Sequence, residues 1–407
     1  MISYREAIEI ITAQSRLLEA ETVSIENAIG RILTENILSP EVLPPFSNSA
    51  MDGFAYRQKD LDHSERWTLN IQGTLAAGDS FSPEAKTAFQ GAWEIMTGAQ
   101  VPSDCDCVIK VEETQRNGSQ VTLLKRGSSG DNLREAGADF KVGDPIAVKG
   151  TRLLPEHLMA FAALGIPNIQ VRKRPTVSIL STGSELAESP EKGSGKIRNS
   201  TAPYLVAELR ALGAEPTFLG VVEDEPRIFI DHIKAQVEKG TDILLSTGAV
   251  SMGKYDFVAS ALRDLGAEIF FHKVAIRPGK PLIFARLGKT VFFGIPGNPV
   301  STNVSLRFFI EPYLRASLGL PKETAKNFRI KTTIQKPEGL KCFFKAQSIF
   351  HEGQGEVSIL AGQESFRIAP LLLANAWAIL PEAGTEVSSG TLIEVLPLHS
   401  WTEKETL

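Results

Sequence analysis

DILLSTGAVSMGKYDFV, residues Asp242 to Val258, reads as a buried strand, a loop and the first turn of a helix. Ile243, Leu244 and Leu245 form an unbroken apolar run, and such runs suit a parallel strand covered on both faces. The loop from Thr247 to Tyr255 is rich in small and hydroxyl residues and runs into Asp256, whose carboxylate can cap free N–H groups. Small residues let backbone N–H groups approach an anion at a helix N-terminus. The same residues also fit an ordinary βα loop with a capped helix.

Strand and helix alternate on both sides of this stretch. TVSILS after Pro175 and Phe218 to Val222 read as strands, and Ala202 to Leu212 and Pro226 to Lys239 as helices. A helix from Asp256 to Leu265 follows. Strands are expected at Ile269 to Ala275, Leu282 to Ala285 and Thr290 to Gly294, then a helix from Val300 to Leu318. This alternation predicts a doubly wound, mostly parallel α/β sheet over residues 175–320.

The flanks differ. Tyr4, Ala7, Ile8, Ile11 and Leu17 recur at helical spacing, and Val23 to Leu33 is a second amphipathic run. Residues 1–40 are therefore expected to be helical and to join residues 141–174, which contain the short helix Leu154 to Leu164. Between them, residues 41–140 read as an inserted β-rich domain, with short runs such as WTLNIQG, WEIMTG and CVIKVEE. Residues 321–407 read as a C-terminal β domain or barrel.

Composition bounds the function. The chain has 407 residues, 43% hydrophobic and 22% charged, with net charge −5. That is too long for one core. A mildly acidic balance argues against general nucleic-acid binding, and no segment has the apolar length of a membrane span. The charged N-terminus argues against export. Cys105, Cys107 and Cys342 are too few for a disulfide framework, which points to a reducing, cytoplasmic setting. Cys105 and Cys107 lack the spacing and further ligands of a zinc site.

In an open α/β sheet, ligands bind outside the carboxyl ends of the strands. Four loops follow such ends. STGSEL holds Thr182, Gly183 and Glu185, and VVEDEP holds Asp224. STGAVSMGKYD holds Thr247, Gly248, Ser251 and Asp256, and IPGNP holds Pro296, Asn298 and Pro299. Glu185, Asp224 and Asp256 would share one rim, where carboxylates can hold Mg²⁺ and Mg²⁺ can bridge phosphate oxygens. Singly, each acid equally fits a helix cap or a solvated charge. HKVAIRPGKP brings Lys273, Arg277 and Lys280 to a tight turn, either a solvated basic hairpin or a clamp for an anion. PPFSNSAMDGFAY, with Ser49 and Asp52, is a turn into a strand or a binding loop. Neither a G-x-x-x-x-G-K-[ST] nor a G-x-G-x-x-G fingerprint is present, which argues against ordinary kinase and NAD-dependent chemistry.

Taken together, PPFSNSAMDGFA, REAGADFKVGD, ILSTGSEL, STGAVSMGKYDF, IRPGKP and IPGNPVS resemble, in order, the motifs of the MoeA/gephyrin E-domain family of molybdopterin molybdenumtransferases. The resemblance spans essentially the whole chain. It implies insertion of molybdate into the dithiolene of adenylylated molybdopterin, dependent on Mg²⁺, with release of AMP. It also implies a four-domain subunit in a homodimer, with the active site near the subunit interface, and contact with other proteins of molybdenum cofactor biosynthesis. The acids it implies are Asp52, Asp139, Glu185, Asp224 and Asp256. The implied basic group is Lys273, Arg277 and Lys280, joined by Lys345 and Ser365 in the C-terminal domain. Ala249, Lys254, Thr201 and Lys345 depart from the usual family residues. The alternatives are a non-catalytic molybdopterin-binding or scaffolding homologue, and another nucleotidyl-type enzyme on the same α/β domain.

Overall fold

The computed structural model describes residues 1–63, 65–79, 87–187, 195–223, 225–248, 257–351 and 353–400. Its centre is a six-stranded sheet. In spatial order the strands are Glu215–Val222, Thr176–Thr182, Ile243–Thr247, Thr290–Ile295, Pro281–Leu287 and Glu268–Lys273. The first four run parallel. The last two complete the sheet with antiparallel pairings.

Both faces of this sheet are covered, which explains the unbroken apolar run at its centre. Ile243 and Leu245 pack on one side with Leu205 and Leu209 of helix Thr201–Ala211 and with Val300 and Val304. Leu244 packs on the other with Phe229 and Ile233 of helix Pro226–Glu238 and Leu262 of helix Val258–Asp264. A strand alternates its side chains between faces, so two covered faces require an apolar residue at every step.

The N-terminal segment departs from expectation. Helix Tyr4–Ala13 forms, with Ser3 and Glu6 closing a capping box. The expected helical run from Val23 to Leu33 does not. Ala20–Ser24 is a strand and Ile25–Asn27 a single 3-10 turn. Thr22 and Val23 are β-branched, and the strand pairs antiparallel with Asn168–Arg172. Val23 and Ile169 share a cluster with Leu33, Leu153 and Phe161, so long-range pairing outweighed the local helical spacing.

Residues between these paired segments build a second six-stranded sheet around Gly53–Tyr56. Cys105 and Cys107 lie buried in it as free thiols. Burial pushes Cys105 up to about 12, so it stays a neutral thiol. In the C-terminal part, Lys341–His351, Gln354–Ile359, Lys326–Ile330, Leu392–Pro397 and Ala376–Leu380 pair in turn. Ala376–Leu380 pairs back to Lys341–His351, closing a five-stranded barrel. No described helix is long and apolar enough to cross a membrane.

One helical column joins sheet and barrel. It runs through Pro299–Ser305, a π turn at Leu306–Ile310 and Glu311–Leu318, ending on Gly319 in the left-handed conformation. Arg307, in the π turn, is buried. It donates to both carboxylate oxygens of Glu323 at 2.7 and 2.6 Å, and to Glu311 at 3.1 Å. Burial pushes the Glu311 carboxyl up, against the pull of Arg307. Replacing Arg307 by Met should strip two carboxylates of their counter-charge and lower stability by about 3–5 kcal/mol. Calorimetry checks this, and an unchanged transition would show that the network holds nothing.

Candidate functional site

The carboxyl ends of two central strands are sewn together by polar side chains. Thr182 donates through Oγ1 to the Thr247 carbonyl at 3.1 Å, and Thr247 donates to Ser181 Oγ at 3.0 Å. Asn199 donates to Ser181 Oγ at 2.9 Å, while its own carbonyl accepts the N–H groups of Thr201 and Ala202. Asn199 thus caps helix Thr201–Ala211 and ties it to the rim. Beside it, Ala202, Pro203, Val206, Phe218 and Val221 complete an apolar cleft of about 320 Å³.

The loops leave these ends through glycines that only glycine satisfies. Gly248 has φ +90°, and a Cβ there would lie 2.3 Å from the Thr182 carbonyl oxygen. Gly183 has φ +145°, with the Glu185 carboxylate folded over the place a Cβ would fill. The N–H of Gly248 donates to the Ile295 carbonyl, and that of Gly183 to the Val222 carbonyl. These two donors therefore hold loop to sheet, not an anion.

Glu185 is exposed, and its carboxylate accepts no hydrogen bond from any described residue. Asp224, Ser251 and Asp256, with the departures Ala249 and Lys254, lie outside the described residues.

Next in the crevice is IPGNP. Gly297 lies against Gly248, its would-be Cβ 3.7 Å from the Gly248 Cα. Asn298 is the N-cap of the helical column, but it makes no side-chain cap of its own. Its amide instead donates to the Ser365 hydroxyl at 3.1 Å, and the Ser365 carbonyl accepts the Val300 N–H at 3.0 Å. The C-terminal domain thus reaches the rim through Ser365.

The IRPGKP turn packs on the same helix, with Gly279 close to the Ser301 carbonyl and Ser305 Oγ. Ile276 and Arg277 pair with Lys341 and Cys342 of the barrel. Arg277 and Lys280 are exposed, and neither forms an ion pair among the described residues. Lys273 is half-buried at a strand end whose carbonyl accepts the Ile2 N–H. The rim therefore gathers an exposed carboxylate, two exposed cations, the first turn of a helix and a loop from the barrel.

Three regions of the chain match family models. Residues 2–165 match the MoeA N-terminal region (domain I and II), 178–316 a probable molybdopterin binding domain, and 327–398 the MoeA C-terminal region (domain IV). A molybdopterin molybdenumtransferase from Synechococcus elongatus is 36% identical over 416 residues, covering 98% of this chain and 100% of that protein. The chain belongs to the MoeA family. A Bacillus subtilis protein of the same name is 32% identical over 401 residues, covering 96% of this chain and 93% of its own length. The crystal structure of a molybdopterin biosynthesis MoeA protein from Pyrococcus horikoshii superposes with a TM-score of 0.80 at 27% identity, covering 98% of this chain and 100% of that one. As a MoeA-family protein, the chain is a transferase with a role in molybdenum cofactor biosynthesis.

Several side chains expected to touch substrate are already committed within this MoeA fold. Thr182 and Thr247 are buried, and their hydroxyls bridge strands. Ser49 is buried too. Its hydroxyl donates to the Met51 carbonyl at 2.5 Å and so builds the turn before Asp52. Lys345 is fully buried, and its ammonium bonds carbonyls of the 362–367 loop. The polar atoms of all four are engaged within the fold.

Asp52 and Asp139 find their described partners within the β-rich domain. The Asp52 carboxylate accepts the Thr97 N–H at 2.6 Å and the Thr97 hydroxyl at 2.9 Å. The Asp139 N–H donates to the Leu43 carbonyl. The segments that carry them do meet, since Leu133 and Arg134 pair with Ser49 and Asn48. Neither Thr97 nor Asn199 was singled out from sequence. An asparagine just before a helix start was the available signal for Asn199. Thr201 departs from the family residue without strain, because its hydroxyl donates to Asn199 within the cap.

Gly248→Ala should cost about 1–3 kcal/mol in backbone strain alone and loosen the seam between strand ends. Thermal denaturation and amide exchange at position 248 check both effects. Hydrogen bonds from the Thr97 N–H and hydroxyl hold the Asp52 carboxyl below its usual range. The contribution of this turn is therefore present above the ordinary carboxylate pKa and lost as pH falls through the depressed one. Thr97→Val should move the Asp52 titration upward in a carboxyl-carbon NMR titration. An unmoved titration would mean that the Thr97 hydroxyl contributes nothing.

Proposed function

We propose that the protein is a cytoplasmic, Mg²⁺-dependent molybdopterin molybdenumtransferase that inserts molybdate into the dithiolene of adenylylated molybdopterin and releases AMP. The observation that carries this reading is the rim itself. Arg277 and Lys280 are exposed cations on a turn packed against the helix that follows IPGNP, and Glu185 is an exposed carboxylate at the end of another strand of the same sheet edge. Both substrates are anions, and Arg offers a planar pair of donors suited to an oxyanion. Lys273 adds positive charge at the base of the same turn.

Glu185 fits a metal-binding role, because it is exposed and no described group claims its carboxylate. With Asp224 and Asp256 it would give the hard oxygen donors that Mg²⁺ prefers. Bound there, Mg²⁺ would neutralise phosphate charge. Ser251 would add a hydroxyl to the anion, while Pro296, Asn298 and Pro299 shape the loop beneath it. Asp52 and Asp139 would reach the rim across the interface of a homodimer. Other proteins of molybdenum cofactor biosynthesis would deliver the substrate and take the product.

The test is purified protein with adenylylated molybdopterin, molybdate and Mg²⁺, scored for AMP. Glu185→Gln and Asp256→Asn should each abolish AMP release while leaving the calorimetric transition in place. Near wild-type turnover in either variant would sink its metal role. Binding of substrate without AMP release by the unaltered protein would overturn the catalytic reading.

A further inference from the structure

The loop from Gly362 to Arg367 is built around one buried cation. Lys345 is fully buried on a barrel strand. Its ammonium donates to the carbonyl oxygens of Gly362 at 2.7 Å, Arg367 at 3.2 Å and Glu364 at 3.4 Å. An ammonium has three donors and no acceptor, so these carbonyls occupy all of it. Gln363 fastens the same residue from the other side. Its side chain accepts the Lys345 N–H at 3.0 Å and donates to the Lys345 carbonyl at 2.9 Å. A methionine would fill similar space without the cost of burying a charge. What the charge adds is the shape of the loop.

That shape ends on Ser365. Asn298 opens the helical column without capping it by its own side chain. Ser365 supplies the cap from the barrel, taking the Val300 N–H on its carbonyl and the Asn298 amide on its hydroxyl. An uncapped first turn would leave backbone donors unsatisfied beneath the IPGNP loop.

We propose that Lys345 is a positioning residue, whose ammonium sets the 362–367 loop so that Ser365 caps the helix at Asn298 and Val300 and holds IPGNP in the form that receives substrate. The functional half rests on the reading given under Proposed function. The structural half stands without it.

Two readouts on the full-length protein test the two halves separately. Hydrogen exchange without substrate reads the cap. Lys345→Met should speed exchange of the Val300 amide roughly tenfold, the loss of about one hydrogen bond. Lys345→Arg, which keeps the donors, should restore protection. Unchanged Val300 protection in Lys345→Met overturns the proposal, whatever the activity.

Steady-state kinetics read the consequence. Lys345→Met should raise KM for adenylylated molybdopterin roughly tenfold at similar kcat, since uniform binding is what a displaced loop loses. The double variant Lys345→Met/Ser365→Ala should be no worse than Lys345→Met, because Ser365 is already displaced. Multiplicative effects would show that Lys345 does not act through Ser365, and would overturn the proposal. If Lys345→Met does not fold, Gln363→Ala releases the second fastening of the same loop and carries both readouts, judged by the same outcomes. Absence of AMP release by the unaltered protein would refute the enzymatic reading alone, leaving the exchange experiment to decide the cap.

Discussion

Arg307 is buried where the helical column of the α/β domain meets the barrel. It comes from the π turn of the helical column. Its guanidinium grips Glu323 with two parallel bonds, and it also donates to the Pro397 carbonyl at the end of the last barrel strand. A buried charge without partners would be costly, so these contacts bind the parts into one arrangement. Tyr4 adds the N-terminal helix to the same junction, its ring edge-on to Phe309 at 5.5 Å and to Phe343 at 5.3 Å. The barrel therefore holds the column at several points, among them Arg307 and Phe308 in its middle, the latter stacked on Phe343, and Ser365 on its first turn. Because the first turn carries IPGNP, the relative placement of barrel and sheet becomes a property of the rim. A π turn at such a point fits the frequent use of these irregularities near functional sites.

The sheet was legible because burial on both faces leaves a mark on every residue of a strand. Ile243, Leu244 and Leu245 could not be explained by one covered face. The N-terminal segment was less legible. Val23 to Leu33 has apolar residues at helical spacing, but the partner of Ala20–Ser24 lies at Asn168–Arg172, far along the chain. The C-terminal barrel was legible as a class from its run of short strands, but the pairing that closes it, between Lys341–His351 and Ala376–Leu380, is again long-range. Local spacing reports which residues are apolar, and long-range pairing decides which strand they join.

At the site, residue types were legible and side-chain directions were not. Ser49, Thr182, Thr247 and Lys345 stand in motifs that suggest contact with substrate, yet each is buried and satisfied inside the fold. A polar group close to a strand end or a tight turn must first satisfy the backbone around it, and only what is left over can face a ligand. Arg277 and Lys280 escape that demand because they sit on an exposed turn whose backbone is paired to the barrel. Asn199 is inconspicuous in sequence for the opposite reason. It carries no charge, but one side chain caps a helix and braces the rim.

The chain carries a net charge of −5, so its overall field does not draw anions in. On the proposed reading, molybdate and a phosphoanhydride must sit beside Glu185, Asp224 and Asp256. At an effective dielectric constant near 20, two unit charges about 4 Å apart interact by about 4 kcal/mol, so three carboxylates facing two anions would oppose binding strongly. Lys273, Arg277 and Lys280 supply positive charge for the substrate, but none of them forms an ion pair with Glu185 among the described residues. A divalent cation between acids and phosphates turns the same repulsion into attraction on both sides. On that reading the acids and the basic turn serve the same substrate, the acids through a divalent cation and the turn directly.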